Sequence, residues 1–255
     1  MPVTNIKGEK IRLADYTWDE LESRQDRKEL IFVQTIGATE EHGYHLPMGT
    51  DTYQAVAVAE AAAKKLSNVI VMPEIPYSYC LDTMSFCGTV TFSAATVISM
   101  VGDIAESVCR HGFGKLVLFN GHGGNKGVLE TALRDSLQRL AGPAANLRRD
   151  FRMYLVNAFA TIAPQLQKLT EGKEYGHACE LETSLMLLLD PDLVKMERAV
   201  EEYMQGDPDL VWMVRDMKEA SVSGIHGAAT LGTREKGGKI FNLLVDDLEN
   251  FLRRI

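Results

Sequence analysis

At 255 residues the chain is long enough to bury a full hydrophobic core, as one large domain or two small ones. Its 27 basic and 35 acidic side chains leave a formal net charge of −8, which disfavours a nucleic-acid surface or an anionic membrane as partner. Hydrophobic residues at 45% and charged residues at 24% are ordinary globular values, and no apolar run approaches the length of a membrane span. The start, Met-Pro-Val-Thr-Asn-Ile-Lys, lacks the apolar core of a signal peptide. Cys80, Cys87, Cys109 and Cys179 form neither a CxxC pair nor a small-scaffold framework, so they read as reduced thiols and predict a cytoplasmic location.

In chain order, Trp18-Asp-Glu-Leu-Glu-Ser suggests a short helix leading into a buried strand, Leu30 to Gly37, whose apolar and β-branched run ends at glycine. Tyr53 to Leu66 is alanine-rich and reads as helix, and Val69 to Met72 as a second strand, with Pro73 and Pro76 forcing a loop beyond it. Tyr77 to Gly88 is a long irregular segment of the kind that often shapes pockets, and Thr89 to Phe92 is expected to be briefly extended. Ser93 is a credible N-cap for a helix from Ala94 to about Arg110. Lys115 to Asn120 is a third buried strand, followed by a helix from about Lys126 to Leu140 and a break at Gly142-Pro143. Phe151 to Val156 is a fourth strand. A helix is then expected from about Ala178 to Leu189, stopped by Pro191. Residues 192 to 226 read as helix fragments and loop, with a turn at Gly206-Asp-Pro208. Ile240, Phe241, Leu244, Val245, Leu248, Phe251 and Leu252 give the last helix one apolar face. Strands alternating with helices predict a single α/β domain over 1–255, three layers deep, with a mostly parallel sheet flanked by helices.

In such a sheet, ligands bind beyond the carboxyl ends of the strands. Three clusters fall there. The first, Glu40-Glu-His-Gly-Tyr-His-Leu-Pro-Met-Gly-Thr-Asp51, packs acids and histidines into one turn-forming segment. If extended geometry persisted to His42, Glu40 and His42 would share a face about 7 Å apart, within reach of one metal ion or two adjacent ones. Asp51 could bridge metals or simply cap a helix, and His45 could be a packed core histidine. The second cluster is Asn120-Gly-His-Gly-Gly-Asn125, whose glycines admit close backbone approach. The third is His177-Ala-Cys-Glu-Leu-Glu182, where His177 and Glu182 can face one cavity only if His177 lies at or before the first helical turn.

Other chemistries fit less well. The second cluster lacks the lysine and hydroxyl of a phosphate loop, and no G-x-S-x-G elbow is present. Cys179 lies near His177, but two neighbours on one helix rarely align as thiolate and base.

Together, Gly37 to Asp51, Asn120 to Asn125 and Gly176-His-Ala-Cys-Glu-Leu-Glu-Thr-Ser184 resemble, in order and approximate spacing, the three signatures of the creatininase (creatinine amidohydrolase) family. The resemblance implies an α/β hydrolase, oligomeric and often hexameric, in which two divalent metals activate a water to open an amide. It makes Glu40, Asp51 and His122 the ligands of one metal with Asp51 bridging, His42 a ligand of the second, and His177 the proton shuttle. Zinc is the first expectation for the ions, with manganese or iron as alternatives. Two departures stand out. The family's creatinine enzyme has a glutamate at the position of Gly124, for which Glu182 is the evident substitute. That enzyme also encloses its substrate with tryptophans before the third signature, whereas Trp18 and Trp212 lie elsewhere in this chain. The expected activity is hydrolysis of a C–N amide, cyclic or formamide-type, in a small polar metabolite. The alternatives are C–C hydrolysis in a cyclic inositol-derived ketone, or a metal-stabilised binding protein without catalysis.

Overall fold

The computed structural model describes residues 3–141, 150–204 and 216–255. The expected break at Gly142-Pro143, the turn at Gly206-Asp-Pro208 and Trp212 lie outside them.

A capping box between Thr17 and Glu20 starts α1 (Trp18–Glu22). The buried strand β1 (Ile31–Ile36) follows, then α2 (Thr50–Lys64) and the short β2 (Val69–Val71). Ser93 caps α3 (Ala94–Arg110) by accepting from the Thr96 backbone. Next come β3 (Lys115–Asn120), α4 (Lys126–Ala141), β4 (Arg152–Asn157) and the one-turn α5 (Ala163–Leu166). The chain continues through α6 (Glu180–Leu189) and a small antiparallel ribbon of β5 (Glu201–Glu202) and β6 (Gly227–Ala228), ending in α7 (Arg234–Arg254).

The main sheet runs β2-β1-β3-β4 with every pair parallel. Side chains alternate across it, as the pleat requires. Ile31, Val33, Val117 and Phe119 enter a core with α2, α6 and α7, while Phe32, Ile36, Leu116 and Leu118 enter a second core with α3 and α4. This gives an α/β architecture of three layers. Ile240, Leu244, Val245, Leu248 and Leu252 form the buried stripe of α7, while Phe241 and Phe251, expected on the same face, flank it and are only partly buried.

The strand order puts the functional residues in place. From β1 the chain crosses through α2 to β2 on one side; from β2 it returns through α3 to β3 on the other. The carboxyl ends of β1 and β3 therefore flank the switch point of the sheet, where parallel α/β folds open a crevice. Thr89 to Phe92 forms only isolated bridges, Thr39 to Val90 and Ser78 to Thr91, rather than a strand. No helix among the described residues is long and apolar enough to cross a membrane.

Candidate metal centre

Two close approaches set the floor of the crevice. A Cβ on Gly37, just after β1, would lie 2.3 Å from Thr52 Oγ1; one on Gly121, just after β3, would lie 2.7 Å from the Asp51 carbonyl. Without side chains there, the first turn of α2 drops against both strand ends and carries Asp51 into the interior, 2% exposed. Asp51 thus lies inside the helix, and the N-cap position belongs to Gly49.

Around Asp51 the three clusters converge. Extended geometry does not persist to His42, since β1 ends at Ile36, yet the irregular segment still brings Glu40 and His42 together. Asp51 Oδ1 lies 3.1 Å from His42 Nε2, and Asp51 Oδ2 lies 3.1 Å from His122 Nδ1. Glu40 Oε1 is 2.9 Å from the same His122 nitrogen, and Glu182 Oε1 is 3.9 Å from His42 Nε2. Glu40, Asp51 and His122 thus form one group that could hold a cation, and His42, Asp51 and Glu182 a second; a third grouping joins Glu40, His42 and His177.

The other ring nitrogens are anchored. His42 Nδ1 lies 3.2 Å from the Glu40 carbonyl, and His122 Nε2 lies 3.1 Å from the Tyr79 carbonyl. Each ring donates there and turns its remaining nitrogen toward the carboxylates, an arrangement that fixes the tautomer of metal-binding histidines. Thr83 Oγ1 donates to Glu40 Oε2, so the 77–88 segment braces two of these side chains. Glu40 Oε1 and Asp51 Oδ2 are buried without a hydrogen-bond donor. Burial of such atoms is costly unless a cation compensates. Carboxylates with imidazoles are a donor set suited to zinc or manganese.

Electrostatics point the same way. Burial opposes charge on Asp51, but the neighbouring His42 and His122 hold its carboxyl below the usual range. Burial likewise opposes charge on the His122 imidazole, yet Glu40 and Asp51 raise its pKa well above normal. Burial pushes the Glu182 carboxyl up, even though the Ala178 backbone N–H donates to it at 2.6 Å.

His177 closes the crevice from another side. Its side chain is 15% exposed, against 8% for His122 and 0% for His42, so a substrate could reach it. His177 Nε2 donates to the Glu41 carbonyl at 2.7 Å and lies 3.0 Å from Glu41 Oε1, while Nδ1 faces Glu40 Oε1 at 3.8 Å. Burial lowers its pKa, but Glu41, Glu40 and Glu182 outweigh that and raise it to about 10. The expected helix start at Ala178 needs correction. Ala178 takes φ 49° and Cys179 is extended, so α6 begins at Glu180 and His177 sits before the first turn. Left-handed backbone is strained for alanine, and here it accompanies the turn that sets His177 and Glu182 in one crevice. Glu180 points away, accepting from Glu171 and Gly172 backbone groups and pairing with Lys236. Burial pushes the Cys179 thiol up to about 12, which removes it as a nucleophile at neutral pH. His45 joins none of the cation-holding groups; its Nε2 meets Thr183 Oγ1 at 2.8 Å.

At Gly124 a Cβ would come within 2.5 Å of His122 Nε2 and 3.1 Å of the Tyr79 carbonyl. A side chain at that position is incompatible with the bond that anchors His122. Three contributors escaped sequence reasoning: the Tyr79 carbonyl, the Thr83 hydroxyl and the contact between Glu41 and His177. Only the last left a signal, the doubled acid before His42.

An α/β sheet whose switch point gathers carboxylates and imidazoles around a shared aspartate has the architecture of a metal-dependent enzyme. The family model described as creatinine amidohydrolase matches residues 14–252. The chain is 29% identical over 252 residues to the creatinine amidohydrolase of Pseudomonas putida, covering 94% of this chain and 95% of that one. It is 30% identical over 223 residues to the mycofactocin precursor peptide peptidase of Mycobacterium tuberculosis, covering 83% and 80% respectively. Its fold is similar to a solved creatininase mutant of the Zn-Zn type, with a TM-score of 0.86, 28% identity and coverage of 96% of this chain and 98% of that one. The chain belongs to the creatininase family of metal-dependent amidohydrolases.

Proposed function

We propose that this chain folds as one domain over 1–255 and is a two-metal hydrolase opening a C–N amide bond, cyclic or formamide-type, in a small polar metabolite. The observation that carries this reading is the division of Asp51 between the two groups, Oδ1 beside His42 and Oδ2 beside His122. On this reading Glu40, Asp51 and His122 hold one divalent ion, and His42, Asp51 and Glu182 hold the other, with zinc first and manganese or iron as alternatives. Glu182 takes the place left vacant by Gly124. When bound, such ions polarise a scissile carbonyl and lower the pKa of water.

The chain's own residues do the rest. The Glu40 and Tyr79 carbonyls hold His42 and His122 in the tautomers that leave one lone pair each for a cation. His177 keeps its Nε2 proton on Glu41, and cations held by Glu40 and Glu182 would offset part of the negative charge that raises its pKa, leaving Nδ1 as the atom to accept a proton from the attacking water and return it to the leaving nitrogen. The protein acts as a cytoplasmic homo-oligomer on a small-molecule substrate, without nucleic acid or membrane. The assembly rests on family resemblance alone.

The test is a screen of metal-loaded protein against cyclic amides, formamides and inososes. Release of ammonia, amine or formate supports the reading. A ring-opened keto acid found by mass spectrometry would instead assign C–C hydrolysis. Full metal content with no turnover of any class would favour a binding protein.

A further inference from the structure

A cavity of about 270 Å³ opens beside His122, at the carboxyl ends of β3 and β4. Phe159, Ala163 and Tyr175 give it a largely apolar wall, which Lys126 and Asn157 interrupt. The orientation of the amides there is fixed by a chain of bonds. Asn120 Oδ1 accepts from the His122 backbone N–H at 3.1 Å, so Asn120 Nδ2 must face the other way. It donates to Asn157 Oδ1 at 2.9 Å, across the last paired position of β3 and β4. The Asn157 carbonyl is therefore occupied, and its own NH₂ has no partner among the described residues. An amide NH₂ free to donate is left at the cavity wall.

Lys126 is the second donor. It is exposed at the first position of α4, where the helix dipole disfavours a cation, and no hydrogen bond or ion pair holds its ammonium among the described residues.

We propose that this cavity receives a carboxylate of the substrate, with Lys126 as its charge partner and Asn157 as its hydrogen-bond donor. The substrate is then an anionic amide whose carboxylate is read beside His122 while its scissile bond lies at the metal centre. The inference rests on the two-metal reading above and adds the substrate's charge class. Lys126 and Asn157 are specificity-determining residues, and neither belongs to the metal-holding groups.

The experiment is calorimetric titration of the metal-loaded protein with N-acetylglycine, with the neutral N-acetylglycinamide and with inorganic phosphate. Binding needs no turnover, and metal content on the same samples reports separately on the metal centre. Wild type should prefer N-acetylglycine over its amide by roughly 10- to 100-fold, the worth of a charge-assisted hydrogen bond. Lys126→Met should abolish that preference with metal content unchanged, Lys126→Arg should keep most of it, and Asn157→Ala should reduce it. A preference that survives in Lys126→Met would mean the metal centre reads the carboxylate, and the proposal fails. Equal affinity for the two acetyl probes, or binding of neither, also overturns it. Phosphate binding without N-acetylglycine binding overturns the assignment to a carboxylate.

Discussion

Replacing His177 by alanine separates proton transfer from metal binding. His177 Nε2 is tied to Glu41, and Nδ1 faces the cluster 3.8 Å from Glu40 Oε1. As the carrier of a proton between water and leaving group, it should be worth roughly 10²- to 10⁴-fold in kcat, about 2.7–5.5 kcal/mol of barrier. The same change removes a hydrogen bond in a mostly buried place, costing about 1–3 kcal/mol of stability. His177→Gln, which can donate to the Glu41 carbonyl but cannot carry the proton, should lose as much activity with less stability. The assay is kcat on an amide found by the substrate screen, with elemental analysis of each sample. Both variants should keep the wild-type metal content. Loss of one equivalent together with activity would show that His177 joins Glu40 and His42 as a ligand, and would refute its role as proton carrier. Glu41→Gln adds a second readout. Burial opposes the imidazolium while Glu41 supports it, so loss of that charge should move the His177 limb of the kcat–pH profile to lower pH.

Gly124→Ala places a Cβ 2.5 Å from His122 Nε2 and should break the bond to Tyr79, weakening one metal by about 10- to 100-fold in a competition titration. Affinity unchanged from wild type would show that His122 needs no such anchor. His45 gives a pH signature. Burial and the nearby His42 lower its pKa to about 4 from an ordinary 6.5, so the unfolded chain binds the extra proton as pH falls through that interval. His45 therefore removes stability below about pH 6.5, by at most about 1.4 kcal/mol per pH unit. Urea unfolding of metal-free protein should show this slope in wild type and a shallower one in His45→Gln; equal slopes would place the titration elsewhere.

Much of the architecture was legible because its elements carry strong periodic signals. The apolar runs of β1 and β3 announce strands buried on both faces, and the stripe from Ile240 to Leu252 announces α7. The start of α6 was not legible. Alanine is the best helix former, so nothing in the composition signals that Ala178 is forced to positive φ by the site around it. The two-residue strands β5 and β6 are too short to leave a pattern. In the crevice, the family signatures pointed to every side chain that forms the two clusters. The backbone carbonyls that orient the histidines carry no side-chain identity, so Tyr79 could emerge only from the folded chain.

Elemental analysis of wild type beside Glu182→Gln tests the two-metal account most directly. Wild type loaded with zinc or manganese should hold two equivalents per chain. Glu182→Gln should hold one, retained by Glu40, Asp51 and His122. Two full equivalents in Glu182→Gln, or a single equivalent in wild type, would contradict the account.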